Sequence, residues 1–348
     1  MPITIEKPGR LIDIARVAGV SRTTVAKVLL DSGGKHVRIS ELTRERIQQI
    51  AQDIQYRPNV AARRLKGKST QLIGVIIDSM APEVSFSRLV RMEAHAAARG
   101  YRFMIGQSHE AFEHVRAYAK DFASYGVDGV ICISHDYPEI GARIAEEFSK
   151  FRNVVFVDKP VVNAEKLCYV EIDYAHGMSL LVDHLLAKSR QNIGLLFCDL
   201  KYTPVKAQWD GFIAACERNK VHLREDLMLS IPGTLPLVSQ EILESHVSQL
   251  CDRSVDAIVA MDDAWAVKVM KALKKLGKRV PEDVAVVGFG NAECATIYEP
   301  GITTVDENPP ELSTIVVERL LSMIEGTAIP SEERHTLLQP RLVIRESA

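Results

Sequence analysis

The hydrophobic pattern of the first 58 residues predicts three short helices. Residues 11–18 place apolar side chains on one helical face, and residues 22–30 do the same after a small-residue turn. A polar stretch with two glycines, residues 31–40, predicts a loop. Residues 41–55 carry the third apolar stripe, and Pro58 ends this helix because the residue before a proline is pushed out of the helical region.

From residue 71 onward, short apolar runs alternate with amphipathic helical segments. Short runs rich in Val and Ile are typical of buried strands, and their alternation with helices predicts an α/β fold of parallel sheets covered on both faces. Ligands of such sheets bind outside the carboxyl ends of the strands. The predicted strands are residues 72–77, 102–106, 129–133, 153–157, 169–172, 193–197, 257–261, 284–289 and 342–346.

The charge distribution separates the same two regions. The chain has 348 residues and a net charge of −2, but residues 1–70 hold 14 Lys and Arg against 6 Asp and Glu. The remaining residues hold 29 basic against 39 acidic side chains. A small basic region beside a larger acidic one is typical of a polyanion-binding module joined to a globular domain. The alternative is chance clustering of surface lysines and arginines.

Several classes of protein are disfavoured because the sequence lacks their characteristic motifs. No apolar run approaches the roughly 20 residues of a membrane span, and the N-terminus has no long apolar segment typical of a secretory leader. There is no GxGxxG, Walker, GxSxG or HExxH motif, and the ten histidines form no metal-spaced pair. We therefore expect no catalysis, cofactor or metal. The six cysteines form no CxxC pair and are expected to be buried free thiols of a cytoplasmic protein.

The first turn of the second predicted helix is rich in polar groups. Ser21 can cap the helix, and Arg22, Thr23 and Thr24 follow before the apolar positions begin. In a helix-turn-helix, the second helix enters the major groove with its N-terminal residues at the base edges. Arg22 can donate two hydrogen bonds to guanine, and Thr23 can bond a base or offer its methyl group to thymine. The alternative is an ordinary cap followed by a solvated cation.

The order and spacing of these segments resemble the lactose repressor family of bacterial transcription factors. RLIDIARVAGVSRTTVAKVL, YRPN and AARRLKGKST carry the resemblance near the N-terminus, and RVPEDVAVVGF, PGITTVDE and LLQPRLVIRES carry it further along. The resemblance covers nearly the whole chain. It implies an all-helical helix-turn-helix head and a two-lobed body that is similar to a periplasmic binding protein. It also implies a repressor whose operator affinity changes when a small, sugar-derived metabolite binds the body.

By this resemblance, the chain divides into three segments. Residues 1–57 form the DNA-binding domain, residues 58–70 the hinge helix and linker, and residues 71–348 the domain that binds effector and dimerises. The expected protein is a homodimer at the nucleoid that reads a near-palindromic operator. Its body is expected to form one lobe from residues 71–171 and 303–327 and a second from residues 172–302 and 328–348.

The resemblance assigns the DNA contacts to the second helix and the linker. Arg22 and Thr23 take the positions of the family's main base readers. Leu65 takes the position of a leucine that wedges between base pairs in the minor groove, although it can instead pack on the body. The other predicted DNA-binding residues are Ser21, Thr24 and Lys27, which are expected to contact phosphates, together with Asn59, Arg63 and Lys66.

The predicted effector site departs from the family's usual ligand residues. Gln208 stands where an arginine often grips the ligand, Asp262 where an asparagine is common, and Gly290-Asn291 where an aspartate is usual. A strongly anionic effector is therefore not expected unless Lys206 offsets Asp262. The remaining candidates are Phe86 and Trp265, which can stack on a ligand or belong to the core, and Asp78 and Asp158, which can bind hydroxyls or cap loops.

These departures leave two interpretations of the body open. Either its effector is not a typical neutral sugar, or the site has been lost. In the second case the protein is a sensor-less DNA-binding regulator whose body only dimerises.

Overall fold

Contacts along the chain divide it between Thr70 and Gln71. We call residues 1–70 the N-terminal unit and residues 71–348 the body. None of the described helices is long and apolar enough to cross a membrane. The protein is represented by a computed structural model, which describes residues 10–30, 39–54, 56, 69–78, 81–108, 111–133, 140–198, 200–232 and 238–348.

Three described helices build the N-terminal unit, as the periodicity predicts. They are α1 (Leu11–Ala18), α2 (Arg22–Leu30) and α3 (Glu41–Asp53). Gly19, with φ 67°, turns the chain out of α1, because glycine adopts this left-handed conformation without a steric penalty. Apolar side chains from all three helices meet in one small core, whose buried members are Ile14, Ala15, Ala18, Val25, Ile47 and Ala51.

The body alternates strands with helices, so the predicted α/β class is confirmed. Its elements in chain order are β1 (Leu72–Ile77), α4 (Glu83–Ala98), β2 (Arg102–Gln107), α5 (Phe112–Tyr125), β3 (Gly129–Cys132), α6 (Gly141–Phe148), β4 (Val154–Val157), β5 (Cys168–Ile172), α7 (Tyr174–Ala187), β6 (Ile193–Phe197), α8 (Thr203–Arg218), β7 (Met228–Ser230), α9 (Gln240–Asp252), β8 (Ala257–Ala260), α10 (Asp263–Lys275), β9 (Ala285–Val287), α11 (Glu293–Ile297), β10 (Thr304–Asp306), α12 (Pro309–Ile324), β11 (His335–Leu338) and β12 (Arg341–Val343).

The strands form two parallel sheets and one short antiparallel pair. The first sheet has the order β11-β5-β4-β3-β1-β2 and the second the order β7-β6-β8-β9, while β10 pairs with β12. In the first sheet, β1 and β2 pair from Leu72 opposite Arg102 to Ile77 opposite Gln107. The central strands are apolar and buried because helices cover both faces of each sheet. Each sheet therefore has its own core, and the body has two lobes.

The structure corrects two of the expected lobe boundaries. Val305 on β10 lies in the core of the second lobe, although residues 303–327 were assigned to the first. Strand β11 pairs with β5 in the first sheet, although residues 328–348 were assigned to the second lobe. Both strands are only three or four residues long, so their backbone partners rather than their apolar pattern decide where they belong.

Candidate functional site

The first turn of α2 presents hydroxyl and guanidinium groups to solvent. Ser21 Oγ accepts a hydrogen bond from the backbone N–H of Thr24 at 3.0 Å, and it lies 2.7 Å from Thr23 Oγ1. Ser21, Arg22 and Thr23 are exposed, whereas Val25 is fully buried in the core of the N-terminal unit. The buried Val25 therefore holds the turn on the core of the N-terminal unit, while the polar side chains of the turn stay accessible to solvent.

Arg22 is available to a partner molecule. Within the described part of the chain, its side chain forms no hydrogen bond or ion pair with another residue. Lys27, one turn further along α2, is half-buried. The arrangement fits a helix whose N-terminal end reads bases while later residues approach the DNA backbone.

The predicted linker contacts lie outside the described residues. The predicted wedge role of Leu65 and the predicted domain boundary at residue 57 lie outside them as well. Those contacts stay predictions, and they concern Asn59, Arg63, Leu65 and Lys66.

A second group of polar residues lies where the strands of the two sheets end. Asp78 directly follows β1 and Asp158 directly follows β4, both in the first sheet. Asp262 and Asp263 follow β8 in the second sheet. Because ligands of parallel α/β sheets bind outside these carboxyl ends, the residues mark the expected effector cleft.

Arg88 on α4 is the centre of a buried charge cluster in this cleft. It is only 3% exposed and forms an ion pair with the equally buried Glu307, which follows β10. Arg88 Nη1 lies 3.7 Å from Asp158 Oδ2, and the Tyr174 hydroxyl donates to the same oxygen at 3.1 Å. Arg88 Nε is buried and has no hydrogen-bond partner among the residues described. The cluster joins α4 of the first lobe to the segments that cross between lobes.

Electrostatics keep Arg88 charged. Burial by itself lowers the pKa of Arg88, but Glu307, Tyr174 and Asp158 raise it above its ordinary value. Desolvation raises the pKa of Glu307, and the nearby acids Asp158 and Asp262 raise it further. The positive charge of Arg88 lowers this pKa. One buried cation is therefore surrounded by several acids, and the cleft carries an excess of acidic groups.

Asp263 ties α10 to the loop after β9. Its Oδ1 accepts a hydrogen bond from the Thr304 hydroxyl at 2.6 Å, and its Oδ2 accepts one from the backbone N–H of Ala292 at 2.7 Å. Burial raises the pKa of Asp263 to about 7. A Cβ atom added at Gly288 would lie 2.2 Å from Asp263 Oδ1, so glycine is required where this loop passes the carboxyl group.

Three predicted effector residues in the second lobe have defined internal roles. Asp262 caps α10 by accepting from the backbone N–H of Ala264 at 2.7 Å, and desolvation raises its pKa. Gln208 is buried and donates to the carbonyl oxygen of Met261 at 3.4 Å. Trp265 has no accessible surface and lies in the core of the lobe, so the predicted stacking role does not fit its position.

The other predicted effector residues keep accessible surface or polar partners. Asn291 Oδ1 accepts from Arg345 Nη2 at 2.7 Å. Phe86 is half-buried against the core of the first lobe, and stacking on a ligand stays a prediction for it. Lys206 forms an ion pair with Asp210 on its own helix, and both side chains of this pair are largely exposed.

Sequence reasoning did not identify Arg88, Tyr174, Asp263 and Glu307 as members of this site. A signal for Arg88 was present, because it shares a helical face with Ser85 and Met92, both of which are buried. A lone arginine on such a face needs a buried partner. Its partner, Glu307, is 219 residues away along the chain and follows a strand that the hydrophobic pattern did not predict.

A three-helix unit with an exposed polar turn at the start of its second helix, joined to a two-lobed body of parallel sheets, defines a DNA-binding regulator of the helix-turn-helix class. Residues 10–59 match the family described as bacterial regulatory proteins, lacI family, and residues 182–348 match a periplasmic binding protein-like domain. The chain therefore carries a helix-turn-helix domain of the lacI family and a periplasmic binding protein-like domain.

Relatives and solved structures match over nearly the full length of this chain. The HTH-type transcriptional repressor PurR of Pasteurella multocida is 26% identical over 337 residues, which cover 96% of this chain and 97% of the relative. The lac repressor dimer bound to operator and the anti-inducer ONPF has a TM-score of 0.83 at 24% identity, covering 98% of this chain and 99% of that one. The lac repressor bound to ONPG in the repressed state has a TM-score of 0.81 at 25% identity, covering 98% and 100%.

Proposed function

We propose that this protein represses transcription by binding, as a homodimer, to a near-palindromic operator. The proposal rests on the exposed turn of Ser21, Arg22 and Thr23, which is held on a buried core and forms no ion pair with any residue that the structure describes. The curated relatives, which bear the name of transcriptional repressors, support it. A protein with this role works on chromosomal DNA in the cytoplasm, and catalysis has no part in it.

The body is the proposed dimerisation domain. The lac repressor structure that resembles this chain is a dimer. In this chain, the body exposes large apolar side chains, among them Val90 at 67% and Ile297 at 71%. Two-fold symmetry doubles the few base pairs that one reading helix covers, so a dimer reads an inverted repeat.

Selection of binding sites from random DNA tests the proposal. We expect the full chain to enrich sequences with two inverted half-sites whose centres lie a whole number of helical turns apart. Mass measurements should give a dimer at micromolar concentration, both free and on the selected DNA. A stable monomer on DNA, or no enrichment over random sequence, would contradict the proposal.

We also infer that the effector of the cleft is a hydroxyl-rich molecule that is neutral or carries a positive charge. Asp158 and Asp262 lie close enough to Glu307 to raise its pKa, and Arg88 is the buried cation that pairs with Glu307 and lies beside Asp158. An anionic ligand would be repelled by this excess of carboxylates. Hydroxyl and ammonium groups can instead donate hydrogen bonds to them.

Thermal unfolding with neutral sugars, amino sugars and sugar phosphates tests this inference. A ligand at 100 times its Kd adds about 2.7 kcal/mol of stability, which raises the Tm by several degrees for a body of this size. We expect amino or neutral sugars to stabilise the protein and sugar phosphates not to. The Asp262→Asn variant keeps a side chain that can cap α10 but loses the charge, so its preference for amino sugars should weaken.

Two outcomes would count against a neutral or cationic effector. Stabilisation by sugar phosphates alone would contradict the assigned charge. Absence of a response to every compound would favour the alternative of a body that only dimerises.

A further inference from the structure

A cavity of about 400 Å³ opens on the first lobe at the edge opposite the effector cleft. It lies beside the amino-terminal ends of β4 and β5, whereas the cleft residues follow the carboxyl ends of the strands. Cavities of several hundred cubic ångströms typically hold small molecules. Because the two lie at opposite edges of the sheet, the cavity is separate from the effector cleft.

Three basic residues stand at the mouth of the cavity, each just before a strand. Arg152 precedes β4, Lys166 precedes β5 and Arg334 precedes β11. These strands are neighbours in the first sheet, in the order β11-β5-β4. Because adjacent strands lie roughly 4.8 Å apart, the three residues start within about 10 Å of one another. The sheet topology therefore converts three positions that are distant in sequence into one basic cluster.

No acidic partner neutralises the basic cluster within the part of the chain that the structure describes. Within the described residues, none of the three side chains forms an ion pair, and no acidic side chain lines the cavity. This contrasts with the body as a whole, where 39 acidic residues outnumber 29 basic ones. A concave site with three unpaired cations in an acidic domain attracts anions.

The other residues that line the cavity indicate the chemistry of the part of the ligand that carries no charge. Phe151, Leu167, Met323 and Ile329 supply apolar surface, and the Thr327 hydroxyl supplies a further polar group. The last turn of α12 also borders the cavity, and a helix carboxyl end by itself disfavours anions. That turn is closed by backbone hydrogen bonds, from Gly326 to Met323 and from Thr327 to Ser322, so those two carbonyl groups are satisfied internally.

We propose that this cavity is a second ligand site, which binds a small organic anion. The anionic group, a phosphate or carboxylate, lies against Arg152, Lys166 and Arg334, and the apolar part of the molecule enters the cavity. The site is independent of the effector cleft, so both can be occupied at once.

Calorimetry on the full chain at low salt tests the site, with phenyl phosphate as the probe and benzyl alcohol as its neutral counterpart. We expect phenyl phosphate to bind and benzyl alcohol not to bind at the same concentration. The triple variant Arg152→Gln, Lys166→Gln, Arg334→Gln should bind phenyl phosphate about tenfold more weakly or worse, because three charge-assisted contacts are lost.

The control variant is Lys120→Gln, an exposed lysine on α5 that does not line the cavity. Its affinity should stay within about twofold of the unmodified chain. The predicted DNA-binding residues are unchanged in every variant. Any binding of phenyl phosphate to those residues is therefore the same in all the proteins and does not affect the comparison. Equal affinity of the triple variant and the unmodified chain, or equal binding of the two probes, would overturn the proposal.

Discussion

Replacing Arg22 with alanine is expected to remove most of the discrimination between operator and random DNA. A bidentate contact from arginine to guanine contributes on the order of 1–3 kcal/mol, and a dimer loses one in each half-site. Operator affinity should therefore fall by roughly 30-fold to 25,000-fold, measured by fluorescence anisotropy at one fixed salt concentration. Binding to random DNA should change much less. Repeated site selection should show relaxed preference at one position in each half-site.

Lys27→Ala is the matched comparison on the same helix. A residue that contacts phosphate contributes to every sequence alike, so operator and random DNA should both weaken and the salt dependence should become shallower. If Arg22→Ala instead lowered both affinities equally, Arg22 would be a phosphate contact and not a base reader.

Replacing Glu307 with alanine is expected to destabilise the body by about 3–5 kcal/mol, because it leaves Arg88 buried without its main partner. Arg88→Met should cost less, since the remaining Glu307 can take up a proton, as desolvation raises its pKa. The double variant Arg88→Met, Glu307→Leu replaces the pair with apolar groups and should recover much of the loss. Urea unfolding of the four proteins measures these differences.

Glu244→Ala provides the control for this series. Glu244 pairs with Lys275 across two helices of the second lobe, and Lys275 in that pair is largely exposed. Removal of this exposed pair should cost at most about 1 kcal/mol. A loss at Glu307→Ala no larger than at Glu244→Ala would mean that the buried cluster does not hold the segments around the cleft together.

The local elements of this protein were predictable because their signals are local. The three helices of the N-terminal unit follow from apolar spacing, from Gly19 and from the cap at Ser21, all within a few residues. The long buried strands, such as Leu72–Ile77, are predictable from their continuous apolar runs. The strands β7, β10 and β11 were missed because polar residues interrupt or end their apolar runs, which read MLS, TVD and HTLL.

The reading turn and the cleft differ in how far their residues are apart along the chain. Ser21, Arg22 and Thr23 are consecutive, so the sequence alone places them together at one helix start, and their contact with bases stays a prediction. Arg88 meets Glu307 only because α4 packs beside the segment that follows β10.

The sequence by itself determined the three-helix unit, the alternation of strands and helices, and the exposed polar turn at the start of α2. Each of these depends on hydrogen bonds and apolar faces within one element or between neighbours. Only the tertiary structure decided which lobe receives β10 and β11, that Trp265 is core, and that Arg88 is balanced by acids from distant segments. It also aligned Arg152, Lys166 and Arg334 at one sheet edge. The reason is physical: strand pairing and charge burial depend on partners that the fold brings together, and these partners leave no pattern in the local sequence.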